Sequence, residues 1–123
     1  MSGLLLWLGA GALGAVGSVA RFTLDGAVAR RVEGGGLPWG TLAVNVLGSL
    51  ALGLIVGAGL GGDPRFLLAG GLLGSFTTFS TWMLETHRLA EEGQGTTAAV
   101  NLALSAALGI AAIVAGWWIG SLL

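Results

Sequence analysis

Four apolar stretches, separated by short charged or glycine-rich breaks, set the layout of this chain. The first carries no charge from Leu4 to Ala20, and after Arg21 small and apolar residues continue to Ala29. About 20 residues cross ~30 Å of hydrocarbon, so this stretch predicts a helix from about Leu4 to Ala29. Arg21 then lies inside that helix, with Asp25 spaced for an (i, i+4) contact. Gly9, Gly11, Gly14, Gly17 and Ser18 give it a close-packing side. Arg30 to Leu37 forms the first loop. Pro38 suits the first turn of a second helix, where its missing N–H costs nothing, and that helix is predicted from about Pro38 to Leu60. Thr41, Asn45 and Ser49 recur every four residues and share one face, followed by Gly53, Gly57 and Gly61. Gly61-Gly62-Asp63-Pro64 reads as a tight turn. A third helix is predicted from about Arg65 to His87. A fourth runs from about Thr96, a candidate cap, to Leu122. Asn101 and Ser105 are the polar residues of its first half, and Trp117 and Trp118 mark an interfacial belt, with Trp7 and Trp39 as further candidates.

The third stretch breaks the pattern of the other three. Gly70, Gly71 and Gly74 precede a row of hydroxyls, Ser75, Thr77, Thr78, Ser80 and Thr81, interleaved with Phe76, Phe79 and Trp82 and ending on Glu85. One or two hydroxyls suffice to join a transmembrane helix to its neighbour. Five within seven residues predict a polar track, or backbone leaving the helical path between Gly74 and Thr77, or both.

Composition sharpens the class. Only 9% of the 123 residues are charged, 54% are hydrophobic and the mean hydropathy is +0.90. A soluble domain carries roughly a quarter charged residues, so this is an integral membrane protein of one all-α domain, residues 1–123. The 24 glycines imply helices that approach closely in lipid, where packing replaces the missing hydrophobic drive. So small a bundle implies a chain that does not work alone. A net charge of −1 without lysine leaves no basic footprint for nucleic acid. The absence of cysteine removes disulfides and thiolate sites, and His87 alone excludes a multi-histidine metal site within one chain. Met1-Ser2-Gly3 lacks a positive n-region and the first apolar run is long enough to span, so no cleavable signal is expected. The Arg30-Arg31 and Arg88 loops lie on one side and Arg65 on the other. This is a weak bias toward external termini, of the kind a protein inserted both ways up needs.

Ionisable and polar groups within spans are functional candidates, since a charge at mid-bilayer costs about 2.5–3.5 kcal/mol. Here they are Arg21, Asn45, Glu85, Asn101 and the third-helix hydroxyls. Arg21 either snorkels to the headgroups or draws anions into a vestibule. Glu85 sits near a helix end, where a carboxylate can be solvated, and His87 reads as an interfacial residue. No nucleophile is paired with a base, and there are no paired carboxylates and no phosphate loop, so no enzyme is expected. A row of neutral donors with one cation at the approach suits passage of a small anion that must bind without being trapped. Phe79 and Trp82, three residues apart, can turn positive ring edges toward it.

Three motifs bring a family into view. These are Gly14-Ala15-Val16-Gly17-Ser18-Val19-Ala20-Arg21-Phe22, Gly40-Thr41-Leu42-Ala43-Val44-Asn45-Val46-Leu47-Gly48-Ser49, and Gly74-Ser75-Phe76-Thr77-Thr78-Phe79-Ser80-Thr81-Trp82 followed by Glu85. In this order on a four-helix frame, the chain resembles the small bacterial fluoride channels, the CrcB or Fluc family, over essentially its whole length. The resemblance implies passive fluoride export across the bacterial inner membrane by an antiparallel, dual-topology homodimer with two pores along its interface; a heterodimeric pair of paralogues is the alternative assembly. It implies a structural sodium ion at the dimer centre, held by main-chain carbonyls that map to Gly74 and Thr77. It places Phe79 and Trp82 at the paired pore phenylalanines, Asn45, Ser80 and Thr81 in the hydrogen-bonding track, Arg21 in the vestibule, and Glu85 at the family's glutamate. Asn101 and Ser105 are the fourth-helix contributors, and Thr41 shares the Asn45 face. Trp82 is a departure, because the family typically has phenylalanine there and indole adds an N–H donor. A small multidrug-type proton-coupled transporter, the rival class, needs a carboxylate in the middle of helix one, and Leu4 to Ala20 contains none.

Overall fold

The computed structural model describes residues 2–32 and 36–123. Within them the chain is all-helical, with four stretches long and apolar enough to cross a membrane: Gly3–Arg31, Trp39–Gly57, Gly62–Glu91 and Gly95–Ser121. We label the continuous helices α1 (Gly3–Arg31) and α2 (Trp39–Gly57). The third span divides into α3, residues 62–76, and α4 (Phe79–Glu91), and α5 (Gly95–Ser121) is the last.

The helix ends depart from the sequence expectation for local reasons. Ser2 caps α1, its hydroxyl accepting from the Leu5 N–H at 3.3 Å. Pro38 lies one residue before α2, at its N-cap, rather than within the first turn. Gly59 takes a left-handed φ of 77°. The Leu60 amide then reaches back to the Ile55 carbonyl and the Gly59 amide to that of Val56, the paired bonds that close a helix on glycine. So α2 stops at Gly57, short of Leu60. The same device at Gly93, φ 78°, with Gln94 N–H on the Leu89 carbonyl, lets α4 run past His87 to Glu91. Thr96 is not a cap. Gln94 holds that position without a side-chain bond, and Thr96 lies inside α5.

α3 is mostly a π-helix. Between the α-helical turns Gly62–Arg65 and Gly74–Phe76, Phe66–Leu73 is wound wide, and the Gly74 amide at its end bonds back to the Ala69 carbonyl. π-Turns are uncommon and concentrate at functional sites.

Glycine replaces apolar side chains as the main packing device. A methyl at Gly53 or Gly57 would strike the backbone of Ile113 or Trp117, and one at Gly116 or Gly120 would strike that of Leu50 or Leu54. α2 and α5 therefore touch backbone to backbone along one seam. α1 meets α3 in the same way, Gly17 against the Leu72 carbonyl and Gly71 against Ala10. Few large side chains are enclosed: Val44 is fully buried, with Leu42, Ala98 and Ala112 near it in burial. Leu4, Trp7, Val19 and Phe22 on α1 and Ile110, Val114 and Trp118 on α5 are exposed, as a surface solvated by lipid or by another subunit requires. The chain is thus a multi-pass membrane protein.

Candidate functional site

The break in the third span is made at two residues. Thr77 (φ −79°, ψ 157°) and Thr78 (φ −144°, ψ 117°) are extended between α3 and α4. Extended backbone at membrane depth must have its polar groups met by protein, and Asn45 on α2 meets them. Its Oδ1 accepts from the Thr78 N–H at 2.8 Å, and its Nδ2 donates to the Thr78 carbonyl at 2.9 Å. The Thr78 hydroxyl then caps α4, accepting from Thr81 N–H at 3.2 Å and donating to Thr81 Oγ1 at 3.0 Å, with Ser80 Oγ at 3.5 Å. Thr77 turns both its amide and its hydroxyl onto the Leu73 carbonyl, each at 3.0 Å.

These substitutions leave two carbonyls without their helical donors. In an unbroken helix Thr78 N–H would bond to the Gly74 carbonyl, and Thr81 N–H to that of Thr77. The first donates to Asn45 and the second to the Thr78 hydroxyl. Gly74 and Thr77 are the pair the family resemblance assigns to sodium, and the chemistry fits, since oxygen donors suit a hard monovalent cation. No group of three or more His, Cys, Asp or Glu side chains stands ready to bind a metal among the described residues.

Around the break lies a cavity of about 400 Å³. Asn45 and Ser49 of α2 form one wall, Gly74, Thr77 and Thr78 the break, Phe79 and Trp82 of α4 a second wall, and Ser105 of α5 a third. The Phe79 and Trp82 rings meet edge to face, centroids 5.8 Å apart at 87°. Phe79 is 69% exposed and so presents its ring outward from the subunit. Thr78 also lines a smaller cavity of about 190 Å³ with Arg21, Phe22, Asp25, Thr41, Val44 and Thr81, so the break borders both a recess that holds one arginine and one aspartate and the larger, mostly apolar groove.

The predicted residues therefore fall into groups. Asn45, Phe79, Trp82 and Ser105 share the larger cavity, and Arg21, Thr41 and Thr81 the smaller one. Arg21 and Asp25 line it together but make no ion pair with each other, contrary to the (i, i+4) expectation. Thr41, 3% exposed, donates to Glu85 Oε1 at 2.5 Å, which ties α2 to α4 beyond the break. Ser80 is exposed and lies outside both cavities. Asn101 faces α4: its Nδ2 donates to Thr86 Oγ1 at 2.9 Å and its carbonyl accepts from the Trp82 indole at 3.3 Å. The indole N–H that sets Trp82 apart from phenylalanine is thus used within the subunit. Thr86 was not among the sequence candidates. Its spacing four residues after Trp82 is the one sign the sequence carries, and its partner Asn101 becomes adjacent only through the fold.

The chain matches the family described as CrcB-like protein, Camphor Resistance (CrcB), over residues 8–117. It is 44% identical over 117 residues to "Fluoride-specific ion channel FluC 2" of Mycobacterium tuberculosis, covering 95% of this chain and 92% of that protein. It is 52% identical over 101 residues to "Fluoride-specific ion channel FluC 1" of Rubrobacter xylanophilus, covering 81% of each. With "Fluoride-specific ion channel FluC 2" of Natronomonas pharaonis it shares 42% identity over 120 residues, 98% of each chain. Matched by that family over residues 8–117 and 42–52% identical to these relatives over most of its length, the chain belongs to the CrcB-like family.

Proposed function

We propose that this protein is a fluoride channel of the cell membrane, letting cytoplasmic fluoride leave down its gradient, and that it is not an enzyme. The observation that carries this is the groove at the break, a largely apolar recess lined by Leu52, Leu73, Ile110 and Ile113 in which the polar groups of Asn45, Ser49, Thr77, Thr78 and Ser105 and the rings of Phe79 and Trp82 are set without a fixed charge on its walls. Neutral donors bind a small anion strongly enough to admit it and weakly enough to release it. The T-shaped Phe79–Trp82 pair offers the positive rim of a ring quadrupole at the same place. Arg21, in the recess on the other side of Thr78, supplies the attraction at the approach.

The assembly that suits this groove is an antiparallel homodimer, in which a second copy covers the outward Phe79 ring and completes two pores. Glu85, held by Thr41, and Ser80 and Thr81 would lie along or beside the path, with Ser105 opposite. A structural sodium at the Gly74 and Thr77 carbonyls would supply the positive charge that their diverted helical donors no longer provide. These two residues would hold it through main-chain oxygen alone.

The test is efflux from liposomes containing the purified protein, followed with fluoride and chloride electrodes. Fluoride release without chloride release is expected. Equal release of both ions, or of neither, overturns the proposal. Replacing sodium throughout by a large organic cation should abolish fluoride flux, and indifference to sodium would remove the cation from the mechanism.

A further inference from the structure

The groove has walls on separate helices, and something must fix their separation. Between α2 and the break Asn45 does so. Between α4 and α5 the corresponding device is a closed loop of hydrogen bonds through Thr86. The Thr86 hydroxyl donates to the Trp82 carbonyl at 2.8 Å and accepts from Asn101 Nδ2 at 2.9 Å. The Asn101 carbonyl accepts in turn from the Trp82 indole at 3.3 Å. Trp82 is therefore held at its ring by the Asn101 main chain of α5 and at its own carbonyl by Thr86 of α4, and the Asn101 side chain on Thr86 closes the circuit. Asn101 is 2% exposed, so its amide has no water to turn to if that link is lost.

One turn along α5 from Asn101 lies Ser105, which lines the groove, as do the Trp82 ring and Phe79 packed edge-on against it. A change in how Asn101 sits on α4 is transmitted directly to the Trp82–Ser105 separation. We propose that Thr86, acting through Asn101 and Trp82, is a positioning residue that sets the width of the groove and with it the discrimination between fluoride and a larger halide. Thr86 does not line the groove, and its effect is exerted through the two residues it joins. The inference rests on the channel function proposed above.

The experiment compares Thr86→Val, which keeps the shape and removes the hydroxyl, with Thr86→Ser, which keeps the hydroxyl. Each is reconstituted at equal protein density after size-exclusion chromatography and circular dichroism show a folded particle. In Thr86→Val, Asn101 loses its acceptor, and the fluoride-to-chloride release ratio is expected to fall about threefold to tenfold, the factor set by one hydrogen bond's net worth. Thr86→Ser should stay within about twofold of wild type on the same scale. A wild-type ratio in Thr86→Val overturns the inference, as does an equal fall in both variants, which would mean that any change of packing at this position, with or without the hydroxyl, alters the ratio. If Thr86→Val does not fold, Asn101→Leu, which keeps the volume and the main-chain carbonyl that accepts from the indole but removes the donor to Thr86, carries the same expectation and the same refutation. Wild-type liposomes that release no fluoride would refute the channel function instead, so the two failures are distinguishable.

Discussion

Asn45→Ala tests whether the break in the third span is braced by one side chain. The substitution removes both bonds to the Thr78 peptide, at 2.8 and 2.9 Å. Thr78 is only 7% exposed, so neither its N–H nor its carbonyl recovers a partner from water. Each buried polar group left unpaired costs about 1–3 kcal/mol, and losing two costs about 2–6 kcal/mol by the same measure. Asn45→Leu, which keeps most of the volume, separates this term from that of an emptied cavity and should fall in the same range. The assay is unfolding by sodium dodecyl sulfate in mixed micelles, followed by circular dichroism. A loss of about 2 kcal/mol moves the unfolding equilibrium about 30-fold, well outside the scatter of such titrations. If both variants unfold within about 0.5 kcal/mol of wild type, less than one ordinary hydrogen bond, the Thr78 peptide does not depend on Asn45 and the account of the break is refuted.

Gly116→Ala puts a methyl into the Leu50 carbonyl on α2, and overpacking of this kind costs about 1–3 kcal/mol; a lower midpoint in the same titration is expected, against an unchanged one for Gly11→Ala, whose methyl would meet nothing within 4 Å. Trp82→Phe keeps the edge-on ring beside Phe79 and loses the bond to the Asn101 carbonyl, so it should still conduct fluoride while giving up about 1 kcal/mol of stability; a folded but silent protein would contradict this. Thr41→Val leaves Glu85 Oε1 without its donor, and a hydrogen bond is worth about 0.5–1.5 kcal/mol net, so a stability loss in that range is expected in the detergent titration; an unchanged midpoint would mean the bond contributes nothing.

The four spans were legible because lipid leaves few choices: long apolar runs with charges confined to their ends admit little except helices. The break could be expected from glycines followed by crowded hydroxyls. Its place, at Thr77 and Thr78, depends on Asn45 arriving from another helix, and no pattern within the third stretch encodes that meeting. The width of the π-helical turns over Phe66–Leu73 was likewise hidden, since Leu, Ala and Gly in that order fit an α-helix as well. Helix ends went astray at Leu60 and His87 because Gly59 and Gly93, among so many glycines, were not distinguishable as the ones that turn left-handed. Thr96 looked like a cap by type, whereas the geometry of the Gly93 turn had already assigned the role to Gln94. Asn45 and Trp82 were found by position, but that one braces the break and the other is tied to α5 needed coordinates.

The backbone seam between α2 and α5 has a consequence for biogenesis. Gly53 and Gly57 leave the ribosome early, while the surfaces that fill them, around Ile113 and Trp117, are among the last to be made. Until α5 is inserted, those notches on α2 face lipid chains that cannot follow a bare backbone closely, and Asn101 and Ser105 are not yet there to meet α4. Before α5 is inserted, α1 and the third span can already meet at Gly17 and Gly71 and Asn45 can already brace the break, so what waits for α5 is the α2 seam and the third wall of the groove.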